Sequence, residues 1–269
     1  MASYILAARS DALFSLFFVE KANQMFCDLT GYILLLSNGA KVFIIKGNNQ
    51  PNLNSIMLHL LTNGQIAVFL ILLFVIIFSL TFHEFGHALS AKLLGDDTAE
   101  KMGRLNLNPL SHIDPIGLLA VVFIGFGYAK PVPFTPRKLK HKWGSAMVAA
   151  AGPLMNLLIA IVALNLKAAA FSFGIDALAT PTAQTVLAYL AFINILLMLF
   201  NLLPIGPLDG HYIAEWALPK PLKYKYHQFN SKYGSMLFLG LIVLSIAGIP
   251  IFRFLWTASQ SLAPYLTFV

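Results

Sequence analysis

Apolar and polar residues do not alternate along most of this chain; the apolar residues come in blocks. Four blocks are long enough to cross a bilayer of about 30 Å, which takes about 20 helical residues. They cover about 65–90, 145–166, 185–203 and 233–252. The first is uncharged from Gln65 to Phe82 and then continues into the polar sequence HEFGHALSAKLLG. A fifth block, 116–128, has only 13 residues and contains Gly117, Gly125 and Gly127. That is short for a span, and it reads as a re-entrant, strand-like element tucked among helices, where irregular backbone survives only under protein cover or beside a wet cavity.

Residues 1–64 break this pattern. Residues 2–26 suit an amphipathic helix, with Arg9, Asp11, Glu20 and Lys21 forbidding a span. The run GYILLLSNGAKVFIIKG then reads as a β-hairpin turning at Asn38-Gly39, a pair suited to a tight turn with positive φ. No removable signal peptide is legible at the start. The expected fold is an all-α polytopic membrane protein with two regions. Residues 1–64 form a small helix/hairpin extension, and residues 65–269 hold a four-helix transmembrane core with the re-entrant element at 116–128.

Composition agrees. The chain is 58% hydrophobic and 11% charged, against about a quarter charged in soluble domains, so it cannot coat a globule with polar surface. Its net charge of +7 does not gather into a basic, aromatic-interleaved patch, which argues against nucleic acid as a partner. Twelve of the 18 basic residues instead fall in three segments after the first, short and third apolar blocks: Lys92 to Arg104, Lys130 to Lys142 and Lys220 to Lys232. The positive-inside rule places all three in the cytoplasm, which is consistent only if 116–128 enters and leaves by one face. Cys27 is alone, so no intrachain disulfide or cysteine metal site can form.

The sharpest chemical signal is His83-Glu84-Phe85-Gly86-His87. On a helix, residues i and i+4 share a face, so two imidazoles can reach one tetrahedral zinc while the neighbouring glutamate activates a water in the fourth position. Seven histidines and four glutamates give about 0.003 chance matches to this pattern, so accident does not explain it. Ionised groups at membrane depth cost about 2.5–3.5 kcal/mol even on permissive scales, and such groups read as functional by default. A third protein ligand is needed. Asp209 stands where Pro204, Gly206 and Pro207 break the third block, at the same end as the histidine pair. His211 is a competing ligand, and a simple Asp-Gly surface turn is the bland alternative. His112, beside Asp114 and Pro115, reads as a loop-stabilising hydrogen bonder, and Asn156 as either an interhelical hydrogen bonder or a group facing the site.

These motifs resemble the site-2 protease family of intramembrane zinc metalloproteases. Phe82–His87 and Asn201–Gly210 look like its two signatures, and GPLMN (Gly152–Asn156) is similar to its motif in the next span. GRLNLNPLSHIDPIG and GYAKPVPFTPRKL resemble the re-entrant region of its small bacterial members, the form without PDZ or CBS domains. The resemblance covers about residues 65–215. It implies one zinc ion held by His83, His87 and Asp209, with Glu84 as catalytic base and Asn201, Pro207 and Asn156 positioning substrate. It also implies hydrolysis of transmembrane helical substrates in a lipid bilayer, in a bacterial inner membrane with the site toward the cytoplasm, and leaves homo-oligomerisation open. Two other readings compete. A metal-ion transporter explains buried ligands but not a glutamate between them, and a membrane metalloprotease of another family leaves the Asp209 segment unexplained.

Overall fold

The structure, a computed structural model, describes residues 32–36, 42–46, 56–124, 127–246 and 251–269. Strands β1 (Tyr32–Leu36) and β2 (Val42–Lys46) pair antiparallel, with Tyr32 opposite Lys46 and Leu36 opposite Val42. The helix expected over 2–26 and the turn at Asn38-Gly39 lie outside the described residues. The rest is helical. A short helix α1 (Ile56–Thr62) leads into α2 (Ile66–Leu93), and α3 (Pro115–Ile124) precedes α4 (Gly144–Ser172) and α5 (Pro181–Asn201). Helices α6 (Gly210–Ala217), α7 (Lys220–Ile246) and α8 (Ile251–Leu262) complete the chain.

Among the described residues, three helices are long and apolar enough to cross a membrane: α2, α4 and α5. Helix α2 has no proline and meets its first glycine only at Gly86, so nothing interrupts its backbone bonds before the metal motif. Its polar residues turn inward: the Ser79 hydroxyl donates to Val75 O (2.6 Å) and the Thr81 hydroxyl to Ile77 O (2.7 Å). Helix α5 starts where Thr180 accepts a hydrogen bond from the Ala183 N–H (3.3 Å) ahead of Pro181, a favourable first helical residue. The fourth expected span, 233–252, falls on the apolar end of α7 and on residues 247–250, which lie outside the described residues.

The three long helices pack through small side chains. A Cβ at Gly86 on α2 would lie 2.8 Å from Ala151 O on α4, so glycine permits the two backbones to approach. Ala160, Ala163 and Leu164 of α4 bury against Leu187, Ala191 and Ile195 of α5. Outward, Leu70 and Phe74 of α2 and Leu154 and Leu158 of α4 are exposed at i, i+4 spacing, an apolar surface suited to lipid.

The short apolar block departs from expectation. It is a helix, α3, and not strand-like, because Asp114 and Pro115 start a helix strongly. The Asp114 carboxylate accepts the N–H groups of Ile116 and Gly117 (both 2.9 Å), while proline sits first in the helix, where its missing N–H costs nothing. Ten residues rise about 15 Å, half of a bilayer core. The chain then comes back: Ile113 pairs with Ala129, and Lys130 N–H donates to His112 O (2.8 Å). Both ends of the excursion therefore meet, and glycines seal it. A Cβ at Gly117 would lie 2.0 Å from Tyr128 O, and one at Gly127 would lie 2.0 Å from Gly117 O.

Candidate metal centre

His83 and His87 lie one turn apart on the buried face of α2, and Asp209 lies at the residue preceding α6. Pro204 and Pro207 end α5, and Leu208 N–H donates to Ile205 O (2.9 Å) in the tight turn that brings Asp209 back. Gly210 permits this turn, since a Cβ there would lie 2.3 Å from Leu202 O. The turn is braced by α7, where Asn230 Oδ1 accepts the Gly206 N–H (2.8 Å) and the Tyr226 hydroxyl donates to Pro204 O (2.9 Å).

Three donor atoms converge. His83 Nε2 and His87 Nε2 are 3.0 Å apart, and Asp209 Oδ2 lies 3.2 Å from the first and 3.4 Å from the second. His83, His87 and Asp209 are the metal-competent group found among the described residues. The tautomers are fixed from behind. His87 Nδ1 donates to Val148 O (2.7 Å), and His83 Nδ1 donates to Asn156 Oδ1 (2.6 Å). A neutral imidazole whose Nδ1 carries the proton offers only a lone pair at Nε2. Two such lone pairs and a carboxylate oxygen facing one another repel unless a cation lies between them. Asp209 Oδ2 is also buried without a hydrogen-bond partner. A zinc ion with bonds of about 2.0–2.1 Å holds tetrahedral ligand atoms about 3.3–3.4 Å apart. The observed triangle fits it.

The asparagine behind His83 belongs to a buried network. Asn156 Nδ2 donates to Asn194 Oδ1 (2.7 Å), and Asn194 Nδ2 donates to Ser79 Oγ (2.8 Å) and Leu190 O (2.7 Å). Both asparagines are fully buried, and each side-chain oxygen and nitrogen has a partner, so the network has one orientation. Asn156, expected either as an interhelical hydrogen bonder or as a group facing the site and positioning substrate, makes the interhelical bond. Its side chain bonds both His83 and Asn194, which orients a metal ligand from behind. Asn201 is half-buried at the end of α5, its amide donating to Leu197 O (3.0 Å), and Pro207 is exposed in the turn.

Glu84 is buried beside the two histidines, and its Oε2 accepts the Val132 N–H (3.1 Å). His211 is not part of the ligand triangle, and its Nδ1 donates to Leu208 O (2.7 Å). His112 is fully buried and bonds Asn106 O through Nε2 (2.7 Å), which ties down the loop before α3. Sequence reasoning passed over Ser79, Asn194 and Arg104. Ser79 and Asn194 were detectable as lone polar residues in apolar helices, whereas Arg104 counted only as one of several loop charges.

Comparison with known proteins agrees with this geometry. The model of peptidase family M50 matches residues 70–185 and 165–241. The chain is 39% identical over 175 residues to the protein named "Putative zinc metalloprotease YwhC" of Bacillus subtilis, covering 64% of this chain and 80% of that one. It is 32% identical over 157 residues to "Putative zinc metalloprotease Rip2" of Mycolicibacterium smegmatis, covering 56% of this chain and 59% of that relative. The chain thus spans little more than half the length of Rip2. No solved structure matches it significantly. With the family model spanning most of α2 to α7 and the His83–His87–Asp209 group in place, the chain belongs to peptidase family M50, the site-2 protease family of zinc metalloproteases.

Proposed function

We propose that the protein is an intramembrane endopeptidase that hydrolyses peptide bonds within transmembrane segments of other proteins. The observation that carries this reading is the convergence of His83 Nε2, His87 Nε2 and Asp209 Oδ2, with Glu84 buried beside them on an apolar helix. These three residues would hold one zinc ion per chain, which supplies Lewis acidity toward a water molecule and the scissile carbonyl. The residues do the rest. Val148 O and Asn156 Oδ1 hold the imidazoles as neutral ligands. Glu84, fixed through one oxygen by Val132 N–H, leaves its other oxygen to accept the proton of the attacking water. It then hands that proton to the amide nitrogen as the C–N bond breaks. Asn201 and Pro207, both shortly before Asp209 in sequence, are the positions that present the substrate chain.

The basic segments after α2, α3 and α5 support a cytoplasmic location for this end of the bundle, and with it for the site, in a bacterial inner membrane. The apolar block over 233–252, which includes the apolar end of α7, would supply a fourth crossing. One chain carries the whole donor set, so the chemistry requires no second copy.

Glu84→Gln tests the reading, because the amide keeps the shape of the side chain but cannot take a proton from water. The purified variant should bind zinc at the wild-type ratio and show no cleavage, and membranes of cells carrying it should accumulate helical stubs. Wild-type turnover by this variant would remove Glu84 as base.

A further inference from the structure

Arg104 is buried, and among the described residues no carboxylate lies within ion-pairing distance of it. A buried cation without an anion beside it is costly. Its hydrogen bonds go to two backbone carbonyls, Nη1 to Pro131 O (3.1 Å) and Nη2 to Lys130 O (2.5 Å). The next residue, Val132, gives its N–H to Glu84 Oε2 (3.1 Å). Val132 stands between Pro131 and Pro133, neither of which has an N–H, so this stretch offers one donor and directs it to the glutamate. Lys130, the other neighbouring donor, is already bonded to His112 O. Burial holds the pKa of Arg104 below its ordinary value, and the nearby Glu84 carboxylate offsets only part of that shift.

We propose that Arg104 and the Pro131-Val132-Pro133 segment form a clamp that positions Glu84 for proton transfer. This rests on Glu84 being the general base. Arg104 is a positioning residue: its fork holds two successive carbonyls, which fixes the plane of the following N–H, and that N–H fixes one carboxylate oxygen. The other oxygen is then aimed by default. A lysine in its place has a point charge without the planar fork and holds one carbonyl at a time. A merely structural Arg104 would anchor the loop without any consequence for the Glu84 carboxylate.

The test uses full-length protein in detergent, with valine labelled by ¹⁵N and the Val132 amide assigned through Val132→Ile. In the wild type this amide should be protected from hydrogen exchange, and Glu84→Ala should remove the protection. Arg104→Met should remove it too, while zinc content stays at the wild-type ratio. On a cleavable model helix, Arg104→Met should lower kcat about 10–100-fold, a fraction of what a general base supplies, with KM within twofold. Arg104→Lys should fall between. Incorporating the α-hydroxy analogue of valine at 132 by nonsense suppression replaces the amide with an ester, deletes the N–H alone and leaves Arg104 intact, so it decides the matter should Arg104→Met not fold. Wild-type kcat in the ester variant, or loss expressed in KM alone, overturns the clamp. Those outcomes with Glu84→Gln inactive leave the protease reading standing, whereas an active Glu84→Gln removes that reading first.

Discussion

Gly152 on α4 faces His87 on α2 so closely that a Cβ at position 152 would lie 2.4 Å from His87 Nε2 and 2.7 Å from His83 Cε1. The ligand triangle is therefore open on one side only because that residue has no side chain. Gly152→Ala should put a methyl group against the donor atoms and lower bound zinc to a tenth or less of the wild-type ratio. Metal analysis of the purified protein reads this directly. Full zinc occupancy would mean that α2 and α4 can separate at no cost, against the close packing at Gly86.

Asn156 acts one bond further out. Asn156→Leu removes the acceptor that keeps the His83 proton on Nδ1 and leaves Asn194 Oδ1 without its donor. Loss of such an outer partner weakens metal binding about 10–100-fold. Asn194→Leu breaks the same network but leaves His83 bonded to Asn156, so its effect on zinc affinity should be smaller. Competition with a chelator compares the variants, and equal losses would place the effect in folding and not in ligand orientation.

Asp209 and His211 can be separated in the same assay. Asp209 Oδ2 completes the triangle, while His211 is turned to Leu208 O. Asp209→Ala should lower zinc and activity together, Asp209→Asn should weaken both through lost charge, and His211→Ala should leave zinc near wild type. The opposite ranking of Asp209→Ala and His211→Ala would reassign the ligand.

The ligands were legible because their chemistry is local: His-Glu-x-x-His needs only a helix, and Asp209 follows a proline-marked break. What was not legible depends on contacts distant in sequence. Asn156 and Asn194 are 38 residues apart, and nothing in either block says that they meet. The helix at 115–124 is a different case, since the signal was present. Asp114-Pro115 is a helix start, but the glycines at 117, 125 and 127 drew the reading toward a strand. Gly117 serves the close return of the chain at Tyr128, a packing requirement that a pattern of propensities cannot express.

Asp96 offers a pH-dependent check on the loop that carries the clamp. It is fully buried, and its carboxylate accepts hydrogen bonds from the Thr98 N–H (3.0 Å), the Thr98 hydroxyl (2.5 Å) and the Thr135 N–H (2.5 Å). Burial opposes its ionisation, but these bonds and Lys138 outweigh burial and hold its pKa below the ordinary 3.8. A depressed carboxylate contributes stability that is complete above the unfolded value and is lost as pH falls through the lower folded value. Asp96→Asn puts an amide donor against one of these N–H groups and should cost about 1–3 kcal/mol at pH 7. Thermal unfolding of both proteins should show a gap that is constant above pH 5 and narrows once pH drops below 3.8. A gap independent of pH would mean that Asp96 is not ionised in the fold.

The excursion through α3 makes a topological prediction. Ile113 pairs with Ala129 and Lys130 bonds His112, so residues 110 and 137 should lie on one side of the membrane, whereas α4 should carry residue 173 to the other. With Cys27 replaced by serine, single cysteines at Leu110, Arg137 and Phe173, all exposed, can be labelled by a membrane-impermeant thiol reagent in sealed vesicles of known orientation. Positions 110 and 137 should react together and position 173 only from the opposite face. A cysteine at exposed Phe123, near the tip of a helix that rises about 15 Å, should resist the reagent from both faces because lipid covers it. Labelling of 110 and 137 from opposite faces would require the block to cross completely. A ten-residue helix can do that only if the bilayer thins to half its thickness, at a cost that rises with every ångström of mismatch. It would also carry the five basic residues between Lys130 and Lys142 across the membrane.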